Sequence, residues 1–262
     1  MILSSVRRIL KTSPLGGLLR TLQARYELRH LSDDQYREQR DDRAMWALMA
    51  GSLAPDACAV DVGANRGRVL AAMVELAPGG QHLAVEPIPH LARALKAAFP
   101  TVQVESCALS DETGHATFTH VVTMDGWSGL KPPEGGFPGQ TVEEIPVSLR
   151  RLDDLVTAGR PVRFIKIDVE GAELQVLRGA LATIRRCRPV IVFEYGEGHG
   201  LPYGTTPEMI YDCMTDECGL TVRSLLGRQR RLSRTAFVAA CRHATATKYD
   251  RASEGNFLAT PD

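Results

Sequence analysis

The stretch Cys58-Ala59-Val60-Asp61-Val62-Gly63-Ala64-Asn65-Arg66-Gly67 decides the fold. Cys58 to Val62 is a short apolar run, as a buried strand requires. Gly63 to Gly67 turns, and Val69 to Leu76 reads as a helix that Pro78-Gly79-Gly80 stops. The same rhythm continues outward. Leu83 to Glu86 reads as a second strand, Ile88 to Phe99 as a helix, and Val102 to Glu105 as a third strand. It resumes with a strand at Phe164 to Ile167, a helix at Ala172 to Ile184, a strand at Val190 to Phe193 and a helix at Pro207 to Cys218. Such alternation predicts an α/β fold with a largely parallel sheet and helices on both faces.

Residues 115–150 interrupt the alternation. Ala116 to Val122 and Ile145 to Leu149 read as strands around the unpatterned run Lys131-Pro132-Pro133-Glu134-Gly135-Gly136-Phe137-Pro138-Gly139, expected to act as a lid. Leu220 to Leu225 and Ala236 to Ala240 read as late strands, joined by Asn256-Phe257-Leu258-Ala259.

Composition narrows the function classes. The 262 residues are 44% hydrophobic and 24% charged, ordinary for a globular domain. Lys+Arg and Asp+Glu stand at 31 each, which argues against a nucleic-acid coat and against disorder. No apolar run reaches the roughly 18 residues of a membrane span. The 6 cysteines form no C-x-x-C pair, and Cys58, Cys107 and Cys187 read as buried thiols. A reducing cytoplasmic compartment follows.

Residues 1–50 read as an N-terminal helical extension and 51–262 as the main domain. Charges at Arg7, Arg8 and Lys11 interrupt any signal-peptide core. Leu18, Leu19 and Leu22 suit an amphipathic segment packed on the domain or on a second subunit of a homo-oligomer, with peripheral membrane contact as the competing use. Ser32 to Gly51 reads as a helix, with Ser32 as its cap.

Chemistry concentrates at the ends of the strands. The turn after the first strand sits where open α/β sheets bind ligands. A dinucleotide site wants three glycines in G-x-G-x-x-G. Here only Gly63 and Gly67 are present, and Asp61 precedes them. A carboxylate disfavours a pyrophosphate but suits an ammonium group, which points to S-adenosylmethionine (SAM) rather than NAD. Glu86 ends the second strand, about 20 residues on, where an acid holds ribose hydroxyls; Pro87 shapes the turn behind it. Small residues at Ser106, Cys107 and Ala108 leave room for a flat base. Lys166-Ile167-Asp168-Val169-Glu170-Gly171-Ala172-Glu173 then gathers a lysine and three carboxylates where a central strand meets a helix. Charged groups are rarely buried there unless paired or functional.

Together with Ala108-Leu109-Ser110-Asp111, Gly114 and Ser128-Gly129-Leu130, these strings resemble the FkbM family of SAM-dependent methyltransferases over roughly residues 57 to 195. Asn256-Phe257-Leu258-Ala259 looks like that family's last strand. The resemblance implies a Rossmann-like, seven-stranded class I methyltransferase sheet with its last strand antiparallel. It implies O-methylation of a sugar, glycan or natural-product hydroxyl. By position, Asp61, Gly63 and Asn65 would face the methionine end of SAM, with Gly67 closing the turn. Glu86 would hold the ribose, and Ser106 to Ala108 would flank the adenine. Ser106 departs from the family, where many relatives carry Asn.

A hydroxyl is a poor nucleophile, so a general base is expected. Asp168, Glu170, Glu173, Glu194 and His199 are the candidates, with His199 in the glycine-rich loop Gly196-Glu197-Gly198-His199-Gly200. No metal is assigned. Cys213 and Cys218 have a permitted zinc spacing but no second ligand pair. The competing functions are an NAD-dependent oxidoreductase and a catalytically silent methyltransferase fold serving as a binding module.

Overall fold

The computed structural model describes residues 31–133, 135–246 and 250–262. The expected amphipathic segment before Leu31 lies outside the described residues. Helix α1 (Asp33–Ser52) opens the fold. Ser32 caps it as expected: its hydroxyl accepts from the Gln35 amide at 3.2 Å, and the Gln35 side chain accepts from the Ser32 amide at 3.1 Å.

The alternating units follow: β1 (Cys58–Val62), α2 (Arg68–Leu76), β2 (Leu83–Val85), α3 (Pro89–Ala98) and β3 (Gln103–Glu105). After β4 (Ala108–Leu109), β5 (Gly114–Val121), β6 (Val142–Arg150) and the short α4 (Leu152–Leu155), the alternation resumes with β7 (Val162–Ile167). Then come α5 (Glu173–Arg178), α6 (Leu181–Cys187), β8 (Val190–Glu194), α7 (Glu197–Gly200), α8 (Pro207–Asp212), β9 (Thr221–Ser224), α9 (Arg234–Ala246) and β10 (Asn256–Thr260).

The main sheet has seven strands in the order β3-β2-β1-β7-β8-β10-β9. The pairs β3-β2, β2-β1, β1-β7 and β7-β8 are parallel, whereas β10 runs antiparallel to both β8 and β9. Alternate residues feed two cores, as a sheet covered on both faces requires. Ile165, Ile167, Ile191, Phe193 and Phe257 pack on one face with α5, α8 and α9 residues. Phe164, Val192 and Leu258 pack on the other, under Met45 and Met49 of α1 and Met73 of α2. Residues 115–150, anomalous in the sequence, form a separate three-stranded sheet, β4-β6-β5, beside the main one.

Three local expectations are corrected. Ala236 to Ala240 is not a strand but lies inside α9. Phe237, Val238, Cys241 and Ala244 are its buried residues, a helical spacing too long to show in a five-residue window. The expected helix from Ala172 to Ile184 breaks in two. The Gly179 carbonyl accepts from the Asp153 amide at 3.0 Å, and the Asp153 carboxylate accepts from the amides of Ala182 and Thr183, at 3.0 and 2.7 Å. A distant carboxylate thus caps α6. The helix from Pro207 widens at Cys213, where the Cys218 amide donates to the Cys213 carbonyl at 2.8 Å, a single π turn. Cys58 and Cys107 are buried as expected, but Cys187 is only partly so.

Candidate active site

β1 and β7 end side by side, and their ends build the site. The Asp168 amide donates to the Val62 carbonyl at 3.1 Å. Gly63 follows with φ +78°, and a Cβ there would stand 1.9 Å from the Asp168 carbonyl oxygen. Only glycine permits this approach. Asn65, also left-handed at φ +47°, aims its amide at Glu86 Oε2, 2.7 Å away. The Ile88 amide donates to the other oxygen, Oε1, at 2.8 Å. Glu86 therefore locks both turns with its own carboxylate. Burial pushes its pKa up to about 7, against the pull of the two amides.

These residues line a cavity that opens to solvent. Gly63, Asn65, Glu86, Pro87 and Asp168 are all in its wall. Cys107, Ala108 and Leu109 add the small and apolar lining anticipated for a flat base. The chain places other predicted residues elsewhere. Ser106 is exposed and outside the lining. Gly67 precedes α2, and a Cβ there would meet Leu95 and Phe99 instead of the cavity. Asp61 is buried under the turn, paired in register with Lys166 on β7, and its Oδ2 has no hydrogen-bond partner among the described residues. Burial raises its pKa to about 6, with Lys166 opposing.

A second cavity, an open basin of about 2420 Å³, shares Gly126, Asp168 and Glu170 with the first. Lys166, Glu194 and His199 also line it. Lys166 donates to Asp168 Oδ2 at 2.7 Å. Burial would lower the Lys166 pKa, but Asp168, Glu194 and Asp61 outweigh that and raise it, so the ammonium stays charged. Glu170 sits at φ +55°, rare for a side chain this size and a form of strain associated with functional sites. His199 Nδ1 lies 3.4 Å from Glu170 Oε2. The approach depends on Gly171, where a Cβ would be 2.1 Å from the His199 carbonyl oxygen. Burial, with Asp168 and Glu194 adding to it, raises the Glu170 pKa well above the carboxylate range, while burial lowers that of His199. The expected flexible loop around His199 is the short helix α7.

Glu173 lines neither cavity. It is buried, and its Oε1 accepts from the Val169 and Gly171 amides, each at 3.2 Å. That carboxylate braces the turn carrying Glu170, and burial lifts its pKa to about 7. Among the described residues, no group of three or more His, Cys, Asp or Glu is placed to hold a metal ion.

The basin also holds groups the sequence reading missed. One wall is α1, through Arg37, Asp41 and Asp42. Arg40 straps this helix to the carbonyls of Arg251 and Ser253, both at 2.8 Å. Trp127 and Met124 line the mouth and are 47% and 41% exposed. Lys131, Pro133, Gly136, Phe137 and Pro138 of the expected lid line the basin too. The lid's first residue is held by Tyr203, whose hydroxyl accepts from the Lys131 amide at 2.9 Å.

A parallel-centred sheet with an antiparallel strand near its edge, and a cavity at its strand ends beside an acid after β2, defines a Rossmann-like α/β domain. The chain belongs to the FkbM methyltransferase family, the family's methyltransferase domain matching residues 61–219. Among curated proteins it is 32% identical over 152 residues to the methyltransferase sdnD of Sordaria araneosa, covering 46% of this chain and 59% of that one. It is 30% identical over 175 residues to the AMB antimetabolite synthetase AmbE of Pseudomonas aeruginosa, covering 51% of this chain and 8% of that one. The chain thus spans less than two thirds of the length of either relative. Among solved structures, an FkbM methyltransferase from Methylobacillus flagellatus KT aligns with TM-score 0.47 and 17% identity, over 79% of this chain and 44% of that one.

Proposed function

We propose that the protein transfers a methyl group from SAM to a hydroxyl of a sugar, glycan or natural-product acceptor, in the reducing cytoplasm. One observation carries the reading: a cavity lined by Glu86 meets a larger basin at Asp168 and Glu170. The residues present fit SAM. Glu86 lines the cavity and suits ribose hydroxyls, Cys107 to Leu109 suit the adenine, and Gly63, Asn65 and Asp168 suit the methionine end. When bound, SAM supplies an electrophilic methyl group. The chain's own part is to orient the acceptor oxygen and take its proton, and orientation alone can supply several kcal/mol.

Asp168, held by Lys166, stands at the junction, where it orients the acceptor hydroxyl. His199, with a lowered pKa and Glu170 beside its Nδ1, is neutral near pH 7 and can accept the proton. Glu173 supports them by holding the turn. A relative that is an antimetabolite synthetase supports a small-molecule acceptor. All six cysteines are free thiols, which supports the compartment. The test is a screen of acceptors with methyl-labelled SAM and mass analysis of the product. Absence of any labelled product, with SAM bound, would leave the silent binding module as the better reading.

A further inference from the structure

Trp127 stands out among the groups lining the basin. It is a large indole left 47% exposed, at a cavity mouth, in a chain that buries most of its large apolar side chains. The turn that carries it is fixed. It ends a tight turn, Asp125–Trp127, in which its amide donates to the Met124 carbonyl at 2.9 Å. The buried carboxylate of Asp125 pins the turn from two sides, with His120 Nε2 at 3.0 Å and Arg66 Nη2 at 2.6 Å. Behind it, Ser128 Oγ accepts from the Val121 amide at 3.0 Å, and Gly129 bridges to Thr119 on β5. The backbone that presents the indole is thus preformed, so binding has little main-chain freedom to take away there. Gly126, its neighbour, belongs to both cavities, so the indole sits one residue from the junction where the methyl group would be transferred.

The surroundings select the ligand. Four cations, Arg37, Arg68, Lys131 and Lys166, stand among six carboxylates around the same basin. Interleaved charges of both signs disfavour a ligand with a strong net charge. They suit hydroxyl groups, each of which donates one hydrogen bond and accepts others. A fully aromatic ligand would want an apolar surface on both faces, but α1 brings Arg37, Asp41 and Asp42 to the basin. A pyranose has one apolar C–H face and a hydroxylated rim, which matches one aromatic plate in a polar basin.

We propose that Trp127 is the specificity-determining platform of the acceptor site, on which a neutral pyranose ring stacks with its hydroxyls turned to the basin. The proposal rests on the reading of the basin as the acceptor site, but it is tested by binding alone. The chain has 2 tryptophans, so Trp46→Phe leaves Trp127 as the sole indole reporter. That variant, saturated with S-adenosylhomocysteine, is titrated with methyl glycosides of glucose, galactose, mannose, rhamnose and N-acetylglucosamine, followed by fluorescence. Benzyl alcohol and an alkylamine serve as controls.

At least one glycoside should change the emission saturably. By calorimetry, Trp127→Ala should weaken that glycoside about fivefold or more, while Trp127→Tyr keeps part of the affinity. The affinity of Trp127→Ala for S-adenosylhomocysteine should be unchanged, showing an intact fold. Saturable binding by no glycoside overturns the proposal. So does equal glycoside affinity in Trp127→Ala, or binding only by the aromatic or amine control. Failure of S-adenosylhomocysteine to bind would instead overturn the cofactor reading, and the glycoside titration then decides the platform by itself.

Discussion

Arg66 and Asp125 join two elements that lie far apart in sequence: Arg66 Nη2 is 2.6 Å from Asp125 Oδ2, linking the glycine turn after β1 to the turn that presents Trp127. Burial would raise the Asp125 pKa, but the hydrogen bonds from His120 and Arg66 prevail and hold it below the ordinary range. The carboxylate is therefore charged at neutral pH, and the cofactor turn and the acceptor mouth share one anchor. Arg66→Ala should loosen the Trp127 turn more than it lowers overall stability, because the arginine itself is largely exposed. Hydrogen exchange at residues 124–128 checks this: unchanged protection there would dismiss the link.

Glu86 sets a pH dependence for the cofactor. Its charged form is the better acceptor for ribose hydroxyls, and its pKa stands at about 7. Affinity for S-adenosylhomocysteine should therefore rise from pH 6 to pH 8 and level off above. Glu86→Gln should weaken binding by about 1.5–3 kcal/mol and remove that rise. Calorimetry at three pH values measures both, and a variant with the wild-type profile would take Glu86 out of the site.

Stability should fall as pH rises. Asp61, Glu173 and Glu194 have folded-state pKa values raised to about 6, 7 and 8 from ordinary values of 3.8, 4.5 and 4.5, with burial the largest cause in each. The folded protein holds protons that the unfolded chain gives up. The stabilisation is thus complete below the unfolded values and is lost as pH climbs through the folded ones. Melting temperature in the absence of ligand should decline between about pH 4 and pH 8, and Glu194→Gln should flatten the upper part of that decline. A melting temperature that rises across this window would contradict the assignment.

Gly63→Ala should cost the fold about 2 kcal/mol or more, combining a left-handed backbone with overpacking against the Asp168 carbonyl. Gly135→Ala has a left-handed backbone too, but an added Cβ there meets nothing within 4 Å. Urea titrations of the two variants separate the clash from the backbone preference, and equal losses would rule the clash out.

Asp168→Asn should keep the fold, because the amide oxygen can still accept from Lys166, and should weaken S-adenosylhomocysteine, whose amino-acid end Asp168 faces in the proposed site. Methyl transfer should fall by about two to four orders of magnitude, as expected when a group acting on the proton or its orientation is lost. The readout is labelled-methyl transfer to whichever acceptor the screen identifies. Full transfer by the folded variant would dismiss Asp168 from the chemistry.

The sequence carried the sheet well because its central strands are buried on both faces. Val60, Ile165, Ile191 and Phe257 sit in apolar runs that no surface element would show. Glu86 and Asp168 were legible for a related reason: each is a charge at the end of such a run. What was lost depends on distance along the chain. Nothing near Gly179 announces that Asp153 will cap α6 and split the helix. Nothing near Arg37 announces that α1 will border a basin whose floor comes from β7 and β8. Trp127 reads as any loop aromatic until Arg66 and His120 pin its turn. Gly67 and Ser106 fall where family spacing puts a ligand, yet their surroundings are decided by the packing of Leu95 and Phe99 and by the exposed end of β3.

The position of β10 has a consequence for the order of folding. It follows β9 in sequence but lies between β8 and β9 in the sheet, hydrogen-bonded to both. A chain that has emerged from the ribosome only as far as α9 therefore has β9 without its sheet neighbour, and an open edge on β8. The carbonyls of Arg251 and Ser253 that clasp α1 arrive just before β10 does. Closing the sheet and fixing the wall of the basin thus become one late event, which joins residues more than 200 positions apart. Contacts of such long range form slowly. The nascent chain can build its β1-β2-β3 half early, but it cannot shape the basin until its last strand has slid into place.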